Sequence, residues 1–351
     1  MLVFILILAM IIISGLTAKG KNEFFTDYCS PKNTATVNAV FSVLIFLSHS
    51  ASYLDFSNTA MNSSYFVIRN FLSQTVVVTY LFYSGYGIME SIKKKKHDYV
   101  KSMPVNRFFK LWYHFSIIIV MFVFVALISN KNYSWDRYLL AFTGFESIGN
   151  SNWYMFVTFA LYIIVFVAFM IFKNSNILAV SSVFILTFAF VLIEMNLLDL
   201  SVIFYDTIFC FPLGMLFSLI KPYVDKVVMK NDIIWLIFVS GVFTVCMVGA
   251  QNRSEHILYR MLFMCTAPIL ITLLTMKLQC RSSILDWFGN HIFSFFMLQR
   301  IPMLLLQFMN FDNEPYLFIG LSFFGTVFLA TIFDEFTDRL DKIIFKKKIK
   351  T

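Results

Sequence analysis

Charge is what this sequence has least of: only 14% of its 351 residues are Asp, Glu, Lys or Arg. Hydrophobic residues make up 59% and the mean hydropathy is +0.76, a composition that leaves too little polar surface to cover a water-exposed globule. A soluble protein is excluded. Cysteine is also scarce. The five, Cys29, Cys210, Cys246, Cys265 and Cys280, are scattered without metal-type spacing, so neither a disulfide framework nor a zinc site is implied. No internal repeat or low-complexity linker is present, which counts against an inverted-repeat transporter.

Long apolar runs, by contrast, are abundant, and 44 residues are phenylalanine. At about 20 residues per crossing, the chain has room for roughly ten or eleven transmembrane helices and for no sizeable soluble module. The runs predict a first helix over 2–18, with no basic n-region before it and hence an uncleaved segment. Ten more follow at about 35–54, 70–90, 108–129, 152–172, 177–194, 202–220, 233–250, 258–277, 288–309 and 316–336. The expected fold is an all-α polytopic transmembrane bundle. It comprises an N-terminal helix and polar linker (1–32), a ten-helix membrane domain (33–340) and a basic tail (341–351).

The formal charge of +8 is clumped. One clump holds Lys93, Lys94, Lys95, Lys96, Lys101, Arg107 and Lys110; the tail holds Arg339, Lys342, Lys346, Lys347, Lys348 and Lys350. With eleven crossings, both clumps and Lys173, Lys221, Lys226, Lys230, Lys277 and Arg281 fall on one side, the cytoplasmic one by the positive-inside rule. The N-terminus then lies outside. Each clump abuts an apolar span, so membrane sorting is a sufficient cause and nucleic-acid binding is not expected. The loop 130–151, with Trp135 and Phe145, is too polar to cross and reads as re-entrant or interfacial.

Polar side chains at membrane depth are costly and therefore functional candidates. On the second span Asn38, Ser42 and His49, separated by four and seven residues, share one helical face and extend over roughly 16 Å. The third span ends in Ser84, Gly85 and Gly87, where a ligand or simply another helix can approach closely. Arg107 and Lys110, one turn apart, are open to two uses, interfacial anchoring and clamping a phosphate. Gln299 and Arg300 lie within the tenth span before Pro302. Arg300 needs an anion, for which Glu194, Asp199 and Asp206 are candidates. Asp206 precedes Pro212 and Gly214, which predict a bent helix beside a cavity. His97 and His256 fall in expected loops and His291 at an inner helix end.

In order along the chain, these motifs resemble the acyltransferase-3 family of bacterial integral-membrane acyltransferases, in particular its cell-surface polysaccharide O-acetyltransferases. The family's Arg, ten residues, then His frame is matched at His49, with Asn38 where the Arg stands. FYSGYGI at 82–88 resembles its Ser-Gly-aromatic helix end, and Arg107, Phe108, Phe109 and Lys110 resemble its basic stretch. Asn152, Trp153 and Tyr154 resemble its Trp-bearing helix start, and FPLGMLFS at 211–218 its Gly helix. GNHIFSFFMLQRIP at 289–302 resembles its late motif, with Gln299 replacing a His.

What the resemblance implies is transfer of an acyl group, usually acetyl, from acetyl-CoA to a hydroxyl of a cell-surface polysaccharide or its lipid-linked precursor. The setting would be a bacterial inner membrane. His49 would act on the acceptor hydroxyl as general base or carry the acyl group transiently. Arg107, Lys110, Lys93, Lys94 and Asn38 would serve the donor, and Ser42, Ser84, Gly85, Trp153, Asp206, Gln299 and Arg300 would line the path. The expected partners are acyl-CoA as donor substrate, the glycan acceptor and membrane lipids, with a separate extracytoplasmic protein as a further candidate. No permanently bound cofactor or metal is expected. The competing class is a transporter or flippase for lipid-linked glycans.

Overall fold

The computed structural model describes residues 1–54, 60–72 and 74–345, and these form a helical bundle. The helices are α1 (Leu2–Gly15), α2 (Pro31–Ser50), α3 (Ala60–Leu72), α4 (Thr75–Met103), α5 (Lys110–Ile128), α6 (Trp135–Ala141), α7 (Trp153–Ile171), α8 (Asn176–Asn196), α9 (Cys210–Val228), α10 (Asp232–Asn252), α11 (Ile257–Thr275), α12 (Ser283–Asn290), α13 (Ile292–Leu298), α14 (Arg300–Phe308) and α15 (Pro315–Phe345). A short antiparallel ribbon pairs β1 (Leu16–Ala18) with β2 (Leu278–Cys280), Leu16 opposite Cys280.

Among the described residues, six stretches are long and apolar enough to cross a bilayer, or seven if a bent pair is one span. One of the six, Asn62–Ile128, runs through α3, α4 and α5. Length and composition therefore do not reach the expected eleven. Helix α1 has only 14 residues, and α2 and α9 are diluted by the polar side chains that face the site below.

Several boundaries differ from expectation, each for a local reason. The basic stretch 91–107, expected as a loop, is helical to Met103 apart from a kink at Lys96, because lysines are good helix formers and the first proline is Pro104. His97 is thus helical. Pro104–Phe109 form a π-helical turn carrying Arg107. Helix α9 starts at Cys210 rather than 202, which places Pro212 in the first turn, where its missing N–H costs nothing, so no bend arises there. The tenth span is broken rather than continuous, with α12 bent 74° from the α13–α14 run. Pro302 again sits in a first turn, that of α14. The loop 130–151, expected as re-entrant or interfacial, contains α6, whose Trp135 is exposed. Of the expected basic tail, Lys346, Lys347, Lys348 and Lys350 lie outside the described residues.

Helix α4 is the centre of the bundle and packs closely against α9. A Cβ at Gly85 would lie 2.0 Å from the Phe211 carbonyl oxygen, and one at Gly214 would lie 1.9 Å from that of Phe82. The two backbones touch, which only glycine permits.

Candidate active site

Between α2, α4 and the segment before α2 lies a cavity of about 750 Å³. Helix α4 contributes Tyr80, Tyr83, Ser84, Gly87, Glu90, Ser91 and Lys94, a three-to-four residue spacing that puts all of them on one face. Helix α2 contributes Thr34, Ala35 and Asn38, α9 contributes Lys221, and the linker supplies Asp27, Cys29 and Ser30. At the deep end the Tyr80 hydroxyl donates to the Asn38 carbonyl at 2.9 Å, and the Asn38 Oδ1 is buried without a partner among the described residues.

The linker is held in place by its own polar groups. Phe25 N donates to Met276 O (2.8 Å) and Lys19 N to Lys277 O (3.0 Å). The Tyr28 hydroxyl donates to Asp225 (2.6 Å). Asp27 accepts from the Gln279 amide (3.1 Å) and the Asn33 amide (3.2 Å), and the Gln279 bond holds its carboxyl below the ordinary carboxylate range. Burial pushes the Cys29 thiol up, so this cavity-lining cysteine stays a thiol.

Cations surround the mouth. Lys221 bonds Asp225 at 2.6 Å and lies over the Tyr28 ring. Lys93, expected to serve the donor, does not line this cavity; it is held by Glu90 at 2.6 Å and by the Ser218 carbonyl at 3.0 Å. Lys94 lines the cavity and makes no ion pair among the described residues.

Further along the same face of α2 stand Ser42 and His49. Ser42 donates to the Ala39 carbonyl at 2.7 Å. The His49 ring lies 6.4 Å from that of Phe296. Phe296 in turn packs against Tyr80 at 6.3 Å and Tyr154 at 5.6 Å, and Tyr80 against Tyr154 at 6.3 Å. These three rings form a packed aromatic barrier in which Tyr80 lines the cavity and Phe296 neighbours His49, and the His49 Nδ1 is buried and unpartnered among the described residues. Arg300 and Arg69 lie within electrostatic reach of the His49 ring, and Arg69 Nε donates to Ser48 at 3.0 Å.

The remaining sequence candidates are distributed differently. Asp206 neither lines the cavity nor pairs with Arg300; it forms an ion pair with Arg260 at 2.7 Å. Both Glu194 carboxylate oxygens and Arg300 Nε are buried without partners among the described residues. Gln299 donates to the Phe296 carbonyl at 2.8 Å, fixing that ring's backbone. Gly85 serves the α4–α9 crossing and does not line the cavity. Lys110 pairs with Asp341 at 2.5 Å and ties α5 to α15. Arg107 bonds the Tyr99 hydroxyl at 2.9 Å and sits behind Tyr162, which neighbours Ser84. Neither cation faces the cavity. Trp153 packs edge-on against Tyr154, so it supports the ring barrier from behind. His291, at the α12–α13 break, bonds Asp334 at 2.5 Å.

Tyr80, Tyr83, Glu90, Lys221, Asp27, Tyr154 and Phe296 escaped the sequence reading. The α4 members carried a usable signal, since polar or small residues recur every three to four positions from Tyr80 to Lys94. Lys221 and Phe296 carried none, because their place depends on how separate helices pack.

Residues 37–335 match the family model of the acyltransferase-3 acyltransferase domain. No curated protein and no solved structure matches the chain. The match spans all of α2 beyond its first turns, the cavity face of α4, the ring barrier and His49; the chain belongs to the acyltransferase-3 family and is a multi-pass membrane acyltransferase.

Proposed function

We propose that the protein transfers an acetyl group from acetyl-CoA to a hydroxyl of a cell-surface polysaccharide or its lipid-linked precursor, in a bacterial inner membrane. The observation that supports this most is a polar cavity that carries Lys94 and Lys221 and reaches Asn38 on the face of α2 that also bears His49, whose ring lies 6.4 Å from that of Phe296. The phosphates of the donor would lie against Lys94 and Lys221 on the cytoplasmic side. Its pantetheine arm would follow the Tyr83, Ser84 and Gly87 face past Asn38 and Tyr80, and the thioester would pass the aromatic rings to come within reach of His49.

His49 would take the proton of the acceptor hydroxyl as its oxygen attacks the thioester carbonyl; the C–S bond breaks and the thiolate leaves to be protonated. Membership of an acyltransferase family favours transfer over the flippase reading. The alternative within the same chemistry is a transient acyl-His49 that delivers the group outward.

The test is mass and NMR analysis of surface polysaccharide from a strain lacking the gene, complemented with wild type or His49→Ala. An ester restored by wild type alone is the expected result. An ester restored equally by His49→Ala would refute the role of His49, and an ester pattern independent of the gene would refute the acceptor.

A further inference from the structure

Further along α4, towards its C-terminal end, is a second cavity, of about 490 Å³. Its walls are Ile92, Lys93, Lys96, His97 and Val100 of α4, Phe169 near the end of α7, and Lys173, Asn174 and Asn176 of the turn into α8. No Asp or Glu lines it. The floor is apolar, since Ile92, Val100 and Phe169 are each buried, while the rim carries three lysines, an imidazole and two amides. Lys93 is partly neutralised by Glu90. Lys96 and Lys173 make no ion pair among the described residues. Asn176 opens α8, a helix of 21 residues, so the positive end of its dipole adds to the same field.

The backbone supplies an independent observation. Two helical pieces of α4 meet at a kink at Lys96, which adopts φ 52° and ψ −141°, a conformation that residues with a side chain rarely take, so the chain breaks at the cleft itself.

Lysines around a void with an apolar floor, at the level of the basic cytoplasmic segments, are the recognition chemistry of a phosphate ester that carries hydrocarbon. We propose that this cleft binds the phosphate of an anionic phospholipid between Lys96 and Lys173. The two cavities share no lining residue, although Lys93 of this one bonds Glu90 of the other at 2.6 Å. The shared chemistry is a phosphate ester, for which a soluble nucleotide is the other source.

The experiment uses the full chain purified into nanodiscs of phosphatidylcholine containing a minor fraction of phosphatidylglycerol, with retained lipid read by native mass spectrometry. Wild type is expected to retain phosphatidylglycerol selectively, and Lys96→Gln with Lys173→Gln to retain on the order of tenfold less. Lys95→Gln, in the same basic run but outside the cleft, is expected to behave as wild type. Size-exclusion elution and thermal stability of each variant show that it is folded. Equal retention by wild type and the double variant, or equal loss in Lys95→Gln, would overturn the site. Titration with ADP is the second arm. Binding of ADP that depends on Lys96 and Lys173, without phosphatidylglycerol selectivity, would keep the phosphate site and make its ligand soluble; selectivity for neither would overturn it.

Discussion

Gly85→Ala and Gly87→Ala, two residues apart on one helix, are expected to have opposite effects. At Gly85 the new methyl would lie 2.0 Å from the Phe211 carbonyl oxygen and 2.9 Å from its carbon, both backbone atoms. No rotamer change relieves that contact. To reach the 3.4 Å of ordinary van der Waals contact, α4 and α9 must part by more than an ångström along the crossing where Gly214 meets Phe82. Overpacking of this kind costs about 1–3 kcal/mol, and the cost here belongs at the upper end because the obstacle is main chain. At Gly87 an added Cβ meets nothing within 4 Å, and replacing a helical glycine by alanine gains roughly 0.5–1 kcal/mol. Gly87 lines the cavity, so its alanine variant is also expected to weaken donor use. The assay is thermal unfolding of the detergent-solubilised protein, followed by initial rates against acetyl-CoA concentration. Gly85→Ala should unfold at a lower temperature than wild type; Gly87→Ala should be at least as stable yet show a higher donor KM. A Gly85→Ala protein as stable as wild type would refute the close crossing, and destabilisation at Gly87 would refute the open cavity face.

Two further outcomes follow from the same geometry. Lys94→Ala combined with Lys221→Ala should raise the donor KM by about tenfold or more, whereas Lys110→Ala should lower thermal stability and leave that KM unchanged, because Lys110 meets Asp341 and not the cavity; a KM effect at Lys110 would return it to the donor site. The Asp27 carboxyl is held below its ordinary value, so its stabilising bond to Gln279 is fully present above the unfolded value of about 3.9 and is lost as pH falls through the lower folded value. The stability difference between wild type and Asp27→Ala should therefore be constant from about pH 8 to pH 5 and shrink only below about pH 4. Shrinkage near neutral pH would show that another group controls the linker.

The sequence alone determined the class of molecule. Its apolar runs pointed to membrane helices, and the Asn38–Ser42–His49 face of α2 followed from helical periodicity without knowledge of any neighbour. Ordered motifs were sufficient to indicate the family, because they are local in the chain. Periodicity is silent about which helix lies opposite which face, and those choices were made by the tertiary structure. It turned Gly85 into half of a backbone contact with α9 and withdrew Arg107 and Lys110 from the cavity by giving them Tyr99 and Asp341. It paired Asp206 with Arg260, and it brought Lys221 to the mouth and Phe296 to the barrier from distant parts of the chain. A side chain's chemistry is written in the sequence; its partner is set by packing, which depends on every helix at once.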